Sequence, residues 1–236
     1  MSALAMLLLL AGAPVSLASP VFSLPHRMVP PRESSPGKPP LLVLLHGYGA
    51  DENDLVSLGA ALDPRLLVVC PRGTMTAPRR GFKWYGEDSD SDAEPKVGLE
   101  ASQQAILRFV EEAVAAYDAD PRRVYLGGFS QGAVMSLRVA LAAPEKIAGA
   151  LVLSGYLLDD PHRTEAKPRA MHDLPLFVSH GRSDDVIPIE RARATRDHLQ
   201  TLPVRLTYRE FDGRHQIRVA LGTWMAEQLN GKTGAH

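Results

Sequence analysis

What this chain of 236 residues has little of narrows its chemistry before any motif is considered. It carries 1 cysteine, Cys70, which excludes an intrachain disulfide and leaves stability to a hydrophobic core. Cys70 follows the apolar run LLVV, where a small buried hydrophobe belongs. Neither sign of charge is in surplus: 26 basic residues face 27 acidic ones, for a net charge of -1. With no basic run either, the electrostatic footprint of a nucleic-acid binder is missing. The N-terminal apolar run from Leu4 to Ala13 falls short of the roughly 20 residues of a membrane-spanning helix, which argues against a permanent membrane anchor. Internal repeats and heptads are absent as well.

Residues 1–20 instead read as a signal peptide or an apolar extension. Ser16-Leu17-Ala18 suits cleavage after Ala18, but no Lys or Arg precedes the run, so cytoplasmic and exported locations both stay open. Residues 21–40 form a lead-in whose end, PPRESSPGKPP, is too rich in proline for a helix or a central strand. The folded core is expected to begin in earnest at Leu41, to run through residues 41–230 as one domain, and to leave 231–236 as a tail.

From Leu41 onward short apolar runs alternate with amphipathic ones. The runs at 41–45, 66–70, 124–129, 150–155 and 175–180 are continuous enough to be strands covered on both faces, and VRLTYREF at 204–211 alternates as a last strand. Helical spacing marks Val97–Tyr117, Ala133–Ala143, Ile189–Leu202 and Gln216–Leu229. The order predicts an α/β fold with a mostly parallel, doubly wound sheet and helices on both faces. In such a sheet the active site lies at the carboxyl ends of the strands.

Several candidate residues meet that condition. LGGFSQGA puts Ser130 between a strand and a helix, on a turn so sharp that residues two positions either side must be small; Gly128 and Gly132 are. The helix starting at Gln131 would offer its unpaired amides to a developing oxyanion. A serine nucleophile needs a histidine base, and that base needs a carboxylate. His215, in REFDGRHQI, follows the last strand; His180 also ends a strand, but its setting suggests that it shapes the loop. HGRSDDVIP lies between serine and histidine and supplies Asp184 and Asp185, of which one would orient His215 and the other solvate the loop or cap the next helix. LLHGYGADENDL ends an early strand in glycines, so the Tyr48 and Gln131 amides are expected to bracket an acyl oxygen. Trp84 and Tyr85, in GFKWYG, are candidates for the wall of an acyl pocket, with packing beneath the loop as the plain alternative. EDSDSDAE at 87–94 begins like a calcium loop, but Ala93 stands where glycine is needed and Leu99 where glutamate is.

Taken together and in order, LLHGYGADENDL, GFSQGAVMSL, HGRSDDVIP and GRHQI resemble the phospholipase/carboxylesterase family of α/β-hydrolases, which includes acyl-protein thioesterases; the resemblance runs from about Pro39 to Leu229. It implies an α/β-hydrolase fold without a large lid domain, and hydrolysis of carboxylic esters, thioesters or lysophospholipids. By motif position it implies Ser130, Asp184 and His215 as the triad, with Tyr48 and Gln131 as backbone donors. The expected activity is ester cleavage through an acyl-serine intermediate, on a small-molecule ester or an acyl lipid, with no metal or organic cofactor. A protein thioester or a peptide bond is the alternative substrate. A catalytically silent binding module is the alternative of another class. Oligomeric state is not legible.

Overall fold

The run LLVLL has no polar face to turn toward water, and the fold gives it none: Leu41, Val43 and Leu45 enter one core layer, while Leu42 and Leu44 enter the other. The computed structural model describes residues 21–86, 97–159, 168–218 and 221–230. The apolar leader, the EDSDSDAE loop, His162 and the tail lie outside them. The strands are β1 (His26–Val29), β2 (Leu41–Leu45), β3 (Leu67–Pro71), β4 (Met75–Thr76), β5 (Phe82–Lys83), β6 (Val124–Phe129), β7 (Gly149–Leu153), β8 (Pro175–Gly181) and β9 (Arg205–Phe211). The helices are α1 (Val56–Ala61), α2 (Leu99–Ala116), α3 (Gln131–Ala142), α4 (Ile189–Leu199) and α5 (Leu221–Leu229).

A 7-stranded sheet has the order β1-β3-β2-β6-β7-β8-β9, parallel except for β1, which runs antiparallel to β3; β4 and β5 form a separate hairpin. Residues of α2, α3 and α4 fill the layer on one face, and those of α1 and α5 the layer on the other. This is the doubly wound α/β-hydrolase architecture expected. Among the described residues no helix is long and apolar enough to cross a membrane.

Among the boundaries that differ from expectation, three have a visible cause. The sheet begins inside the lead-in, because β1 pairs with β3 and the segment before it is anchored by rings: Phe22 stacks on Tyr117 at 5.4 Å, and the Tyr117 hydroxyl hydrogen-bonds His26 Nε2 at 2.6 Å. The last helix begins at Leu221 rather than Gln216, since the Gln216 carbonyl is taken by the Ser154 hydroxyl at 3.1 Å and the chain there is still loop. Helix α4 ends at Leu199, short of Leu202, because Pro203 forbids its continuation.

Two features of the fold decide where a site can form. Helix α3 presses its first turn onto the end of β2: a Cβ on Gly132 would sit 2.0 Å from the Leu45 carbonyl oxygen, and one on Gly128 would sit 2.4 Å from the Gly132 carbonyl. The end of β2 is itself pinned by His46. Its Nδ1–H donates to Gly47 O at 2.7 Å, its Nε2 accepts the Gly73 N–H at 2.9 Å, and its carbonyl accepts the Trp84 indole N–H at 2.9 Å. Beyond it, Glu52 in the same loop accepts both Arg72 Nε at 2.7 Å and Arg72 Nη2 at 2.6 Å.

Gly132→Ala is therefore expected to cost more than about 3 kcal/mol or to prevent folding, since backbone rather than a flexible side chain blocks the methyl group. Gly222→Ala in α5, where an added Cβ meets nothing within 4 Å, is expected to be neutral or to stabilise by up to about 1 kcal/mol. Urea denaturation of both variants checks the contrast.

Stability should also follow pH in two stages. Burial pushes the His46 imidazole below its ordinary 6.5, so the native state binds that proton less readily than the unfolded chain. Its contribution is whole above about pH 6.5 and is lost as pH falls through the lower folded value. Glu52 is held down at about 2 by hydrogen bonds from Arg72, and Glu210 at about 2 by those from Arg193. Their contributions are present above the ordinary 4.5 and drain away as pH falls toward 2. Tm is expected to decline first below about pH 6.5 and more steeply below about pH 4.5. His46→Asn should lack the first decline, and a wild-type Tm level from about pH 7 to about pH 5 would contradict the role of His46.

Candidate active site

Strand β6 delivers Ser130 to the carboxyl edge of the sheet, where its backbone turns into the left-handed region at φ 53 and ψ -120. A non-glycine residue there costs about 1–3 kcal/mol unless its surroundings compel it. They do so from both sides. The Ser130 N–H donates to Leu153 O at 3.0 Å, while the Ser130 carbonyl accepts the Ala133 and Val134 amides at 2.9 and 3.1 Å as α3 begins. The missing side chains of Gly128 and Gly132 let strand, turn and helix approach this closely.

The other strand ends are tied in sequence toward β9. Ser154, also at positive φ (49), donates its amide to Ser179 O at 2.8 Å and its hydroxyl to Gln216 O. The Arg182 amide donates to Phe211 O at 2.9 Å and the Ser183 amide to Gly213 O at 3.0 Å. The loops after β8 and β9 are thus fastened together, and Asp184 and His215 face each other: His215 Nδ1 lies 2.8 Å from Asp184 Oδ2. A carboxylate can only accept, so Nδ1 carries the hydrogen, and in the neutral ring the lone pair sits on Nε2. Phe129, next to Ser130, has its ring centroid 4.7 Å from that of His215.

Asp184 is almost wholly buried, and its second oxygen is engaged too. Oδ1 accepts the Val186 amide at 2.9 Å and the Ile187 amide at 2.8 Å. One aspartate therefore both meets the histidine and organises the loop. Asp185, expected to solvate the loop or cap α4, instead pairs with Arg214 at the exposed rim, and Pro188 at the N-cap supplies no side-chain cap. The guanidinium holds the Asp185 carboxyl below its usual range. His180, read from its position as a loop-shaping residue, has its Nε2 2.8 Å from Ile187 O and 3.2 Å from Asp184 Oδ2. Its spacing of four residues from Asp184 on a strand end was the signal in the sequence; the shared oxygen was not visible there.

The loop carrying Tyr48 lies beside the serine, since a Cβ on Gly47 would be 3.4 Å from Ser130 Cβ. Its neighbours are committed: the Gly49 amide donates to Phe82 O at 2.9 Å and the Ala50 amide to Gly47 O at 3.3 Å. The Tyr48 ring is partly exposed. Gln131 heads α3, and its side chain clasps the loop opposite, accepting the Trp84 amide at 2.7 Å and donating to Tyr85 O at 3.1 Å. Trp84 and Tyr85 are 0% and 2% exposed and belong to the core. Their burial fits packing beneath the loop better than an open pocket wall, and the Trp84 indole braces the end of β2. Burial raises the Cys70 thiol to about 12, which leaves it inert as a nucleophile. Among the described residues no 3 His, Cys, Asp or Glu side chains gather as a metal ion would require.

Known proteins match the sequence and the overall fold. A model of the phospholipase/carboxylesterase family matches residues 32–226. Acyl-protein thioesterase 1 of Gibberella zeae is 31% identical over 136 residues, 56% of this chain and 57% of that protein; its counterpart in Kluyveromyces lactis is 32% identical over 110 residues, 46% of each. The chain thus spans about half the length of the curated relatives it matches. Among solved structures, a carboxylesterase from Mesorhizobium loti superposes with a TM-score of 0.72 at 22% identity, covering 89% of this chain and 96% of that one. Esterase PE8 does so with a TM-score of 0.68 at 27% identity, covering 86% and 96%. With the fold and a match over residues 32–226, the chain belongs to the phospholipase/carboxylesterase family.

Proposed function

We propose that the protein is a serine hydrolase that cleaves carboxylic esters through an acyl-serine intermediate, with Ser130 as nucleophile, His215 as base and Asp184 as the group that orients His215. The observation that carries the reading is the Asp184–His215 hydrogen bond, which leaves the outward imidazole nitrogen basic at the same sheet edge as a serine held at φ 53. Ser130 Oγ attacks the acyl carbon as its proton passes to His215 Nε2, and the imidazolium that forms is stabilised by the Asp184 charge. The Tyr48 and Gln131 amides receive the oxyanion. As the tetrahedral species collapses, His215 returns the proton to the leaving alcohol and the acyl group stays on Ser130. Water then enters by the same route in reverse roles and releases the acid. No step needs a metal or an organic cofactor.

The substrate class is a small-molecule ester or an acyl lipid. A thioester is the second reading, favoured by the names of the fungal relatives, acyl-protein thioesterase 1. The two leave through oxygen or sulfur and use one acyl-enzyme. Parallel assays on p-nitrophenyl esters of increasing length, a lysophospholipid and an acyl thioester rank them.

Ser130→Ala is expected to lower kcat by several orders of magnitude, on the order of a millionfold, and to abolish labelling by a fluorophosphonate. A variant retaining a tenth of the activity would remove Ser130 from the mechanism, and a wild-type protein that is never labelled would favour the silent binding module.

Asp184→Asn, with its one oxygen kept for the Val186 and Ile187 amides, presents an N–H₂ to His215 Nδ1. It is expected to fold and to lose roughly a thousandfold or more in kcat. Asp185→Asn breaks an exposed ion pair and should change kcat at most a few-fold. The reverse pattern of rates would transfer the orienting role to Asp185.

A further inference from the structure

We propose that His180 is a positioning residue for this chemistry, donating a hydrogen bond to the same Asp184 oxygen that holds His215; the inference rests on the triad reading above. His180 is the sixth residue of β8 and is 0% exposed. Its Nε2 faces two oxygens, Ile187 O at 2.8 Å and Asp184 Oδ2 at 3.2 Å, and both can only accept. Nε2 therefore carries a hydrogen, shared between them. The other ring nitrogen, Nδ1, is buried with no hydrogen-bond partner among the described residues. With Nδ1 lacking a partner and Nε2 facing two acceptors, the hydrogen belongs on Nε2, which makes Nε2–H a fixed donor.

The Asp184 carboxylate accepts three hydrogen bonds, from the Val186 and Ile187 amides on Oδ1 and from His215 on Oδ2, and His180 Nε2, bonded to Ile187 O, approaches Oδ2 at 3.2 Å as a fourth polar contact. The fourth has two effects. It removes rotational freedom from Oδ2, so His215 finds its partner in one place. It also gives the buried carboxylate one more donor, so Asp184 is held as an acceptor while His215 takes and returns the proton. The neighbouring charges are matched elsewhere. Asp185 pairs with Arg214, and Glu210 on β9 with Arg182 and Arg193, which leaves His180 and His215 as the titratable side chains in hydrogen-bond reach of Asp184 among the described residues.

His180→Gln and His180→Asn separate this role from simple space filling. Gln can bring an amide N–H to where Nε2 stood, whereas the shorter Asn cannot. In the full-length protein, with a p-nitrophenyl ester as probe, Asn is expected to lower kcat by about tenfold or more while KM stays within about twofold. The acid limb of its kcat/KM profile should move to higher pH, because a carboxylate with one donor fewer attracts the His215 imidazolium more strongly. Gln should keep kcat within about threefold of wild type and leave the limb in place. Equal losses in both variants, a change confined to KM, or a limb that does not move in Asn would overturn the proposal. If neither variant folds by circular dichroism, the unfolded Gln protein itself counts against a donor role and for a packing one. Asp184→Asn, run alongside, tells the two levels apart: if it is also nearly as active as wild type the triad reading has failed, and if it is crippled while His180→Asn is not, the present inference alone has failed.

Discussion

A helix that begins where there is no room for a methyl group sets the terms for the rest of this molecule. The first turn of α3 rests on the Leu45 carbonyl and closes on Gly128, so the chain between strand and helix has no relaxed path and Ser130 takes a backbone conformation that serine rarely adopts. Geometry that would be a defect in an isolated turn is compelled here by contacts on both sides. The same approach brings the loop after β2 against the serine, so one constraint of packing assembles two parts of the site.

Charge is arranged with similar economy. The site contains one buried carboxylate, and the loop is wrapped so that its hydrogens converge on it, which is how a buried charge becomes tolerable. Two other imidazoles are buried, His180 beside Asp184 and His46 at the end of β2, and each faces a carbonyl with the nitrogen that carries the hydrogen. They act as fixed struts. His215, to which the proposed function assigns the proton transfer, is the partly exposed histidine among the three.

Much of this was legible in the sequence, for identifiable reasons. Strands covered on both faces are written as unbroken apolar runs, so β2, β3, β6, β7 and β8 stood out, and the glycines around Ser130 are a local requirement that leaves a local mark. Strand β1 was hidden because HRMV is short, half exposed and surrounded by proline-rich chain; its place depends on pairing with β3, more than thirty residues on. The division of labour between Asp184 and Asp185 was hidden from residue type too, and it was motif position in the family resemblance that singled out Asp184. Adjacent aspartates read alike, and only the fastening of the loop after β8 to the loop after β9 shows that one faces inward to His215 and the other outward to Arg214. Trp84 read equally well as pocket wall or packing, since an aromatic residue in a long connection carries no mark of which way it faces.

The two rims of the sheet carry a further consequence. At one end β1 covers β3 with a strand of 4 residues, running against the direction of the others. At the other, β9 is the outermost strand, and Arg205, Arg209 and Glu210 punctuate it, with Arg182 and Arg193 gathered around Glu210. An open strand edge is a template on which another chain can add, and short strands and crowded charges are what make such a template poor. A sheet finished in this way can keep a long, apolar, parallel interior while offering little purchase for growth at its borders, so the same hydrophobic strands that build the core are kept from propagating between molecules.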